Sequence, residues 1–185
     1  MKILLIFCLA LIGSMISAQS VIVKGTGAGA VLATGAGSVR GVATPRFTIP
    51  AGNTNVVIDN NSGLTWTRDA NIGGQMNWTS AVAYCSNLTH ATYSDWRLPS
   101  IPELSRDGTY GATNGFLNAS SAGVLLPAGH PFVSIPTDEN YYWSSTSVSG
   151  AETTHAHAVL IITFPGQVSG RNQANSCYVW PCRAP

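Results

Sequence analysis

The chain has 185 residues, and only 9% of them are charged against about 25% in an average protein. Nine Lys and Arg stand against eight Asp and Glu, and setting aside Lys2 in the leader makes the two signs equal, so no basic surface exists to neutralise a phosphate backbone. Disorder is excluded by 45% hydrophobic residues and five Trp, while Ser, Thr, Asn and Gly fill more than a third of all positions, a neutral surface chemistry common in secreted β-rich proteins.

Residues 1–18 read as a secretory signal peptide. Lys2 gives the positive start, Ile3 to Ile12 the apolar run, and Ile16 and Ala18 the positions before cleavage. The run is shorter than the roughly 20 residues that span a bilayer, so no transmembrane segment is expected. Cys8 leaves with the leader, and Cys85, Cys177 and Cys182 remain for an oxidising compartment. An odd number predicts one disulfide and one leftover thiol. Metal binding by the three is disfavoured, because no C-x-x-C pair is present.

Residues 19–42 form a separate Gly/Ala-rich segment. VKGTGAGA (23–30) and VLATGAGS (31–38) agree at five of eight positions, and Val39 and Gly41 open a third copy. Two readings stand: a flexible linker, or a β-segment that pairs with a sheet edge or another subunit.

The globular part is expected over residues 43–185. Val56-Val57-Ile58 and Leu64-Thr65-Trp66-Thr67 read as strands around the turn cluster Asp59-Asn60-Asn61-Ser62-Gly63. Trp78, Ala81, Val82, Cys85 and Leu88 recur at helical spacing, predicting a helix over 78–88 capped by Asn77. Ser100 and Glu103 form a capping box for a second, short helix, with Pro102 tolerated in its first turn. Residues 108–140 hold little periodicity and read as a long loop region. Tyr141 to Ser145, His155 to Phe164 and Cys177 to Trp180 complete the strands. The two ends of the unit both carry strand signals and are expected to pair.

Five segments in order, SGLTWTRDANIGG (62–74), W-x-x-A-x-x-Y-C-x-x-L (78–88), SDWRLPSIPEL (94–104), YYWSST (141–146) and YVWPCR (178–183), resemble the Lcl C-terminal domain family, named for a domain of the Legionella collagen-like adhesin. The resemblance implies an α+β, C-type lectin-like fold: a twisted antiparallel sheet, two helices and a long loop region. It implies adhesion, including binding to sulfated polysaccharides, rather than catalysis. It also implies a disulfide from the first helix to the last strand. Strand parity favours Cys85–Cys177, with Cys182 the alternative partner. Trp66, Trp78, Asp95, Trp96, Arg97, Pro99, Ser100, Glu103, Trp143 and Trp180 fall in these motifs and read as structural. Arg97 is expected to bond Asp95 and fix the loop before the second helix.

Few basic side chains are present to hold a sulfated ligand, so the sequence departs from the family there. The ligand surface is placed on the 108–140 loop and the exposed end of the next strand: Asp138, Glu139, Asn140, Tyr141 and Tyr142. Calcium is the ion that the oxygen-rich Asp138-Glu139-Asn140 turn could hold; no other cofactor is implied. His155 and His157 share a strand face and read as exposed polar residues rather than as a metal pair. No nucleophile–base set appears, so no enzymatic activity is expected. The function expected is a secreted bacterial surface-binding module for a glycan or protein. The alternative is a homopolymer, an extracellular filament assembled through the N-terminal segment.

Overall fold

A computed structural model describes residues 21–23, 31–33, 39–41, 45–105, 115, 117, 126–161 and 166–185. The leader lies outside the described residues. So do residues 108–114, 116 and 118–125 of the 108–140 loop. The chain divides into two units, residues 1–44 and 45–185.

In the first unit, β1 (Val21–Val23), β2 (Val31–Ala33) and β3 (Val39–Gly41) form an antiparallel sheet in chain order. Val23 pairs with Val31, and Ala33 with Val39. Each strand starts on a valine, and β2 and β3 take the heads of the second and third repeat copies. The β-branched residue that favours extended backbone therefore marks where the repeat pairs with itself.

The second unit holds two sheets and two helices. The strands are β4 (Phe47–Thr48), β5 (Val56–Asp59), β6 (Thr65–Thr67), β7 (Gln75–Met76), β8 (Tyr141–Ser147), β9 (His155–Leu160), β10 (Val168–Asn172), β11 (Cys177–Tyr178) and β12 (Cys182–Arg183). Helices α1 (Trp78–Asn87) and α2 (Ile101–Leu104) fall between β7 and β8. One sheet runs β12-β6-β5-β4 and the other β10-β9-β8-β11-β7, antiparallel throughout except for the parallel β8–β11 pair. The mixed α+β class is as expected. The expected pairing of the two ends is not: β4 and β12 share a sheet but lie at opposite edges, because the β5–β6 hairpin stands between them.

Asp59 builds that hairpin. Its carboxylate is 1% exposed and accepts from Arg46 Nε (3.1 Å), Arg46 Nη2 (3.0 Å), Asn61 N (3.1 Å) and Ser62 Oγ (3.1 Å). Each lone pair has a donor, which makes burial of the charge tolerable. Gly63 closes the turn at a φ of 76°, a left-handed conformation open to glycine at little cost.

Helix α1 starts where Asn77 Oδ1 accepts from Ser80 N at 2.9 Å. Ala81 and Cys85 are buried as the stripe predicts, but Val82 is 38% exposed. The apolar face is narrower than its spacing suggests, and the helix ends at Asn87 with Leu88 as its cap. Gly73 lies at a close approach: a Cβ there would meet Val179 Cβ at 2.7 Å. In α2, the Glu103 carboxylate accepts from Ser100 N (2.8 Å) and Ser100 Oγ (2.9 Å).

The five-stranded sheet separates two apolar clusters. Val57, Trp66, Ile101, Leu104, Phe132, Tyr142, Val159 and Trp180 pack on the α2 side. Ala81, Cys85, Leu98, Trp143, Ala156, Ala158 and Cys177 pack on the α1 side. Both faces being covered explains why β9 shows no alternation. His157 is only 9% exposed, contrary to an exposed histidine face, and burial lowers its pKa. His155 is half-buried, with Nδ1 2.9 Å from Thr154 Oγ1. The strand ends at Leu160 rather than running to Phe164; residues 162–165 lie outside the described set. Trp66, Trp96, Trp143 and Trp180 are core residues, and Trp78 is half-buried with Nε1 donating to Ser144 O at 2.8 Å.

Two expected contacts are replaced by others. Arg97 bonds Glu103 in bidentate fashion (2.8 and 2.7 Å), while Asp95 accepts from Arg183 Nε at 2.7 Å. The reason is non-local: Arg97 pairs antiparallel with Cys182, which brings residue 183 alongside residues 95 and 96. The expected Cys85–Cys177 disulfide is not formed, and neither is Cys85–Cys182; all three cysteines are free and buried. Counting strand parity from 177 to 182 fails because β11 and β12 belong to different sheets. Each sulfur is instead settled as a thiol. Arg97 Nη1 lies 3.5 Å from Cys182 Sγ, and burial pushes the Cys85 pKa up to about 12 and that of Cys177 up to about 11. Few thiolates are then present to attack another sulfur.

Candidate functional site

Cross-strand register sets out a row of side chains on the α2 face of the five-stranded sheet. Gln75 on β7 pairs with Tyr178 on β11, Tyr178 with Tyr142 on β8, and Tyr142 with Val159 on β9. The row passes from exposed Gln75, through half-buried Tyr178, to fully buried Tyr142. The loop before β8 folds over its polar end. Asp138 Oδ2 accepts from Tyr178 Oη at 3.0 Å and from Gln75 Nε2 at 3.3 Å. Burial, followed by the Tyr178 hydroxyl and the Asp69 and Asp138 carboxylates, raises the Tyr142 pKa. Asp69 is anchored by an isolated bridge to Val133, and its Oδ1 accepts from Asn71 N at 2.9 Å.

The five residues expected to bind ligand do not act together. Asp138 and Glu139 are exposed on the rim. Asn140 is committed to structure: Oδ1 accepts from Tyr141 N at 2.8 Å, and its carbonyl accepts from Ile161 N at 3.0 Å. Tyr141 packs with the α1-side cluster, under the Arg171 guanidinium at 4.3 Å. Tyr142 is 0% exposed and is not the exposed strand end expected of it, because β8 is the central strand of its sheet. Its hydroxyl has no hydrogen-bond partner. Among the described residues, no three His, Cys, Asp or Glu side chains gather as a metal site.

Sequence reasoning missed Asp69, Gln75 and Tyr178. Gln75 and Tyr178 lie on two-residue strands, too short to show periodicity, and the parallel register that aligns Tyr178 with Tyr142 has no local signature. The charges elsewhere are mostly paired: Arg46 with Asp59, Arg97 with Glu103 and Arg183 with Asp95. Asp69 and Asp138 take part in no ion pair among the described residues.

The second unit is thus a mixed α+β domain with polar and aromatic side chains along one end of a sheet row. The chain belongs to the Lcl C-terminal domain family, whose model matches residues 55–183. No curated protein matches it. Among the described residues no helix is long and apolar enough to cross a membrane.

Proposed function

We propose that this protein is a bacterial surface or secreted adhesion module that binds an extracellular glycan or protein without catalysis. Membership of an adhesin-type domain family over residues 55–183 is the observation that carries the reading. The rim formed by Gln75, Asp138 and Tyr178 is its binding surface, since polar and aromatic groups held by a rigid sheet suit recognition. The finer architecture proposed is C-type lectin-like, supported by two helices between the early and late strands. Binding of the full chain to a glycan array and to cell-envelope fractions tests the function. Retention on at least one of them is expected, and a folded protein that binds neither would overturn it.

A second reading rests on the first unit. The outer strands β1 and β3 are each paired on one side only among the described residues. Such edges can template a further chain, which would build a filament if the contact does not close. Electron microscopy decides: filaments lost on deleting residues 21–41 favour assembly, and uniform particles exclude it.

A further inference from the structure

The two outer strands of the first unit differ as edges. The sheet order is β1-β2-β3, so among the described residues β1 and β3 each have one side without a partner strand. An open edge pairs with a further strand unless something prevents it; a charge within the edge blocks pairing, and a glycine weakens it. β3 has both, with Arg40 as its middle residue and Gly41 as its last. β1 has neither. It reads Val-Ile-Val, three β-branched residues that favour extended backbone, whereas β2 reads Val-Leu-Ala. One edge of the sheet is guarded and the other is open. A chain with so little net charge has weak electrostatic protection against association at the open edge.

The residue order of β1 identifies its occupant. Val-Ile-Val is the same read in either direction. Laid antiparallel on a second copy about a two-fold axis at Ile22, it sets Val21 opposite the partner subunit's Val23 and Ile22 opposite the partner subunit's Ile22. First residue opposite last is the register the sheet already uses: Val21 pairs with Ala33 and Val23 with Val31, and Val31 pairs with Gly41 and Ala33 with Val39. Cross-strand pairs of β-branched residues stabilise a sheet, and every position of this contact holds one. The other two contacts between copies are poorer. β3 on a second β3 sets Arg40 opposite the partner subunit's Arg40, with Cα atoms about 4.5–5.5 Å apart, where like charges repel. Residues 19–44 contain Lys24 and Arg40 and no Asp or Glu, so the segment supplies no counter-charge. β3 on a second β1 sets Arg40 opposite the partner subunit's Ile22 and Gly41 opposite the partner subunit's Val21, which leaves a β-branched pair at Val39 alone.

We infer that two copies of this chain pair antiparallel through β1 about a two-fold axis at Ile22, forming a six-stranded sheet in the order β3-β2-β1-β1-β2-β3 with Arg40 guarding both outer edges. The contact is isologous and is used up when it forms, so it stops at two chains and does not propagate into the filament of the second reading. It stands independently of the adhesion reading and adds to it: two copies of the 45–185 unit on one particle raise avidity for a repeating ligand without any new contact.

The test is the mass of the full chain by sedimentation equilibrium over a concentration series. Expected is twice the single-chain mass. Ile22→Lys and Ile22→Glu each set like charges opposite one another at the axis and should each weaken dimerisation at least about tenfold. An equimolar mixture of the two variants should restore dimers, with Lys in one copy facing Glu in the other, a rescue that a merely unfolded β1 would not give. Arg40→Val removes the guard and should carry assembly beyond two chains. The inference is overturned if the parent chain stays a monomer at its highest soluble concentration, or if it forms bodies of more than two chains with Arg40 in place. It is also overturned if Ile22→Lys leaves the dimer unchanged, if the Lys and Glu variants remain monomers when mixed, or if Arg40→Val assembles no further. A monomer that is retained on the glycan array removes the dimer and leaves the adhesion reading standing; a dimer that binds no glycan and no envelope fraction does the reverse.

Discussion

The loop between α1 and α2 contains a strained turn that can be relaxed. His90 and Tyr93 exchange two backbone hydrogen bonds of 2.9 Å each, closing a two-residue hairpin. The residues between them, Ala91 and Thr92, have φ of 52° and 72°. Both are therefore left-handed, as a type I′ turn demands, yet neither is Asn, Asp or Gly. Each L-residue held there costs about 1–2 kcal/mol, and a β-branched threonine is the poorer of the two. The double substitution Ala91→Asn with Thr92→Gly removes roughly 2 kcal/mol of strain and returns about 0.5–1 kcal/mol through the greater unfolded-state freedom of glycine. The net gain is about 1 kcal/mol. The backbone carbonyl of Ala91, which accepts from Asn53 Nδ2 at 2.9 Å, is untouched by a side-chain change, so no contact is lost. For a unit of this size that gain raises the melting temperature by about 3–4 °C. Calorimetry of the double variant against the parent measures it. A melting temperature that stays level or falls would refute the claim that the turn is strained.

Other substitutions probe separate parts of the fold. Asp59→Ala takes the buried carboxylate partner from part-buried Arg46 and removes acceptors from the β5–β6 turn; urea unfolding should show a loss of about 3–5 kcal/mol. Gly73→Ala drives a methyl group into Val179 and should cost about 1–3 kcal/mol, whereas Gly74→Ala, where nothing lies within 4 Å, suffers only from its φ of 61° and should cost less. Burial raises the Glu103 carboxyl pKa, but hydrogen bonds from Arg97 and Ser100 together outweigh it and hold the group below its usual range. A depressed folded pKa means stability present above the unfolded carboxylate value and lost as pH falls through the folded one. Glu103→Gln should therefore lower stability at pH 7 and flatten its decline below about pH 4; an unchanged acid limb in pH-dependent unfolding would contradict the pairing.

What could be read from the sequence was local. The Ala81–Cys85 stripe, the Asn77 cap, the Ser100–Glu103 box and the Asp59–Gly63 turn each rest on residues within a few positions of one another. What could not be read depends on pairings far apart in the chain. Arg97 meets Glu103 rather than Asp95 because Arg97 and Cys182 pair across 85 positions. Tyr142 is buried because β8 ends up central, with α1 and α2 on opposite faces, a placement its alternation does not encode. The rim was half-legible for the same reason: Asp138 stands in a conspicuous loop, whereas Tyr178 and Gln75 reach it only through the β7–β11–β8 register.

The claim that ligand meets the polar end of this row can be measured by amide chemical shifts of the labelled full chain during titration with a glycan that the array retains. Shifts should cluster at residues 69–75, 137–142 and 177–178. Shifts centred on the exposed face of α1, or none at all while the protein remains folded, would contradict it.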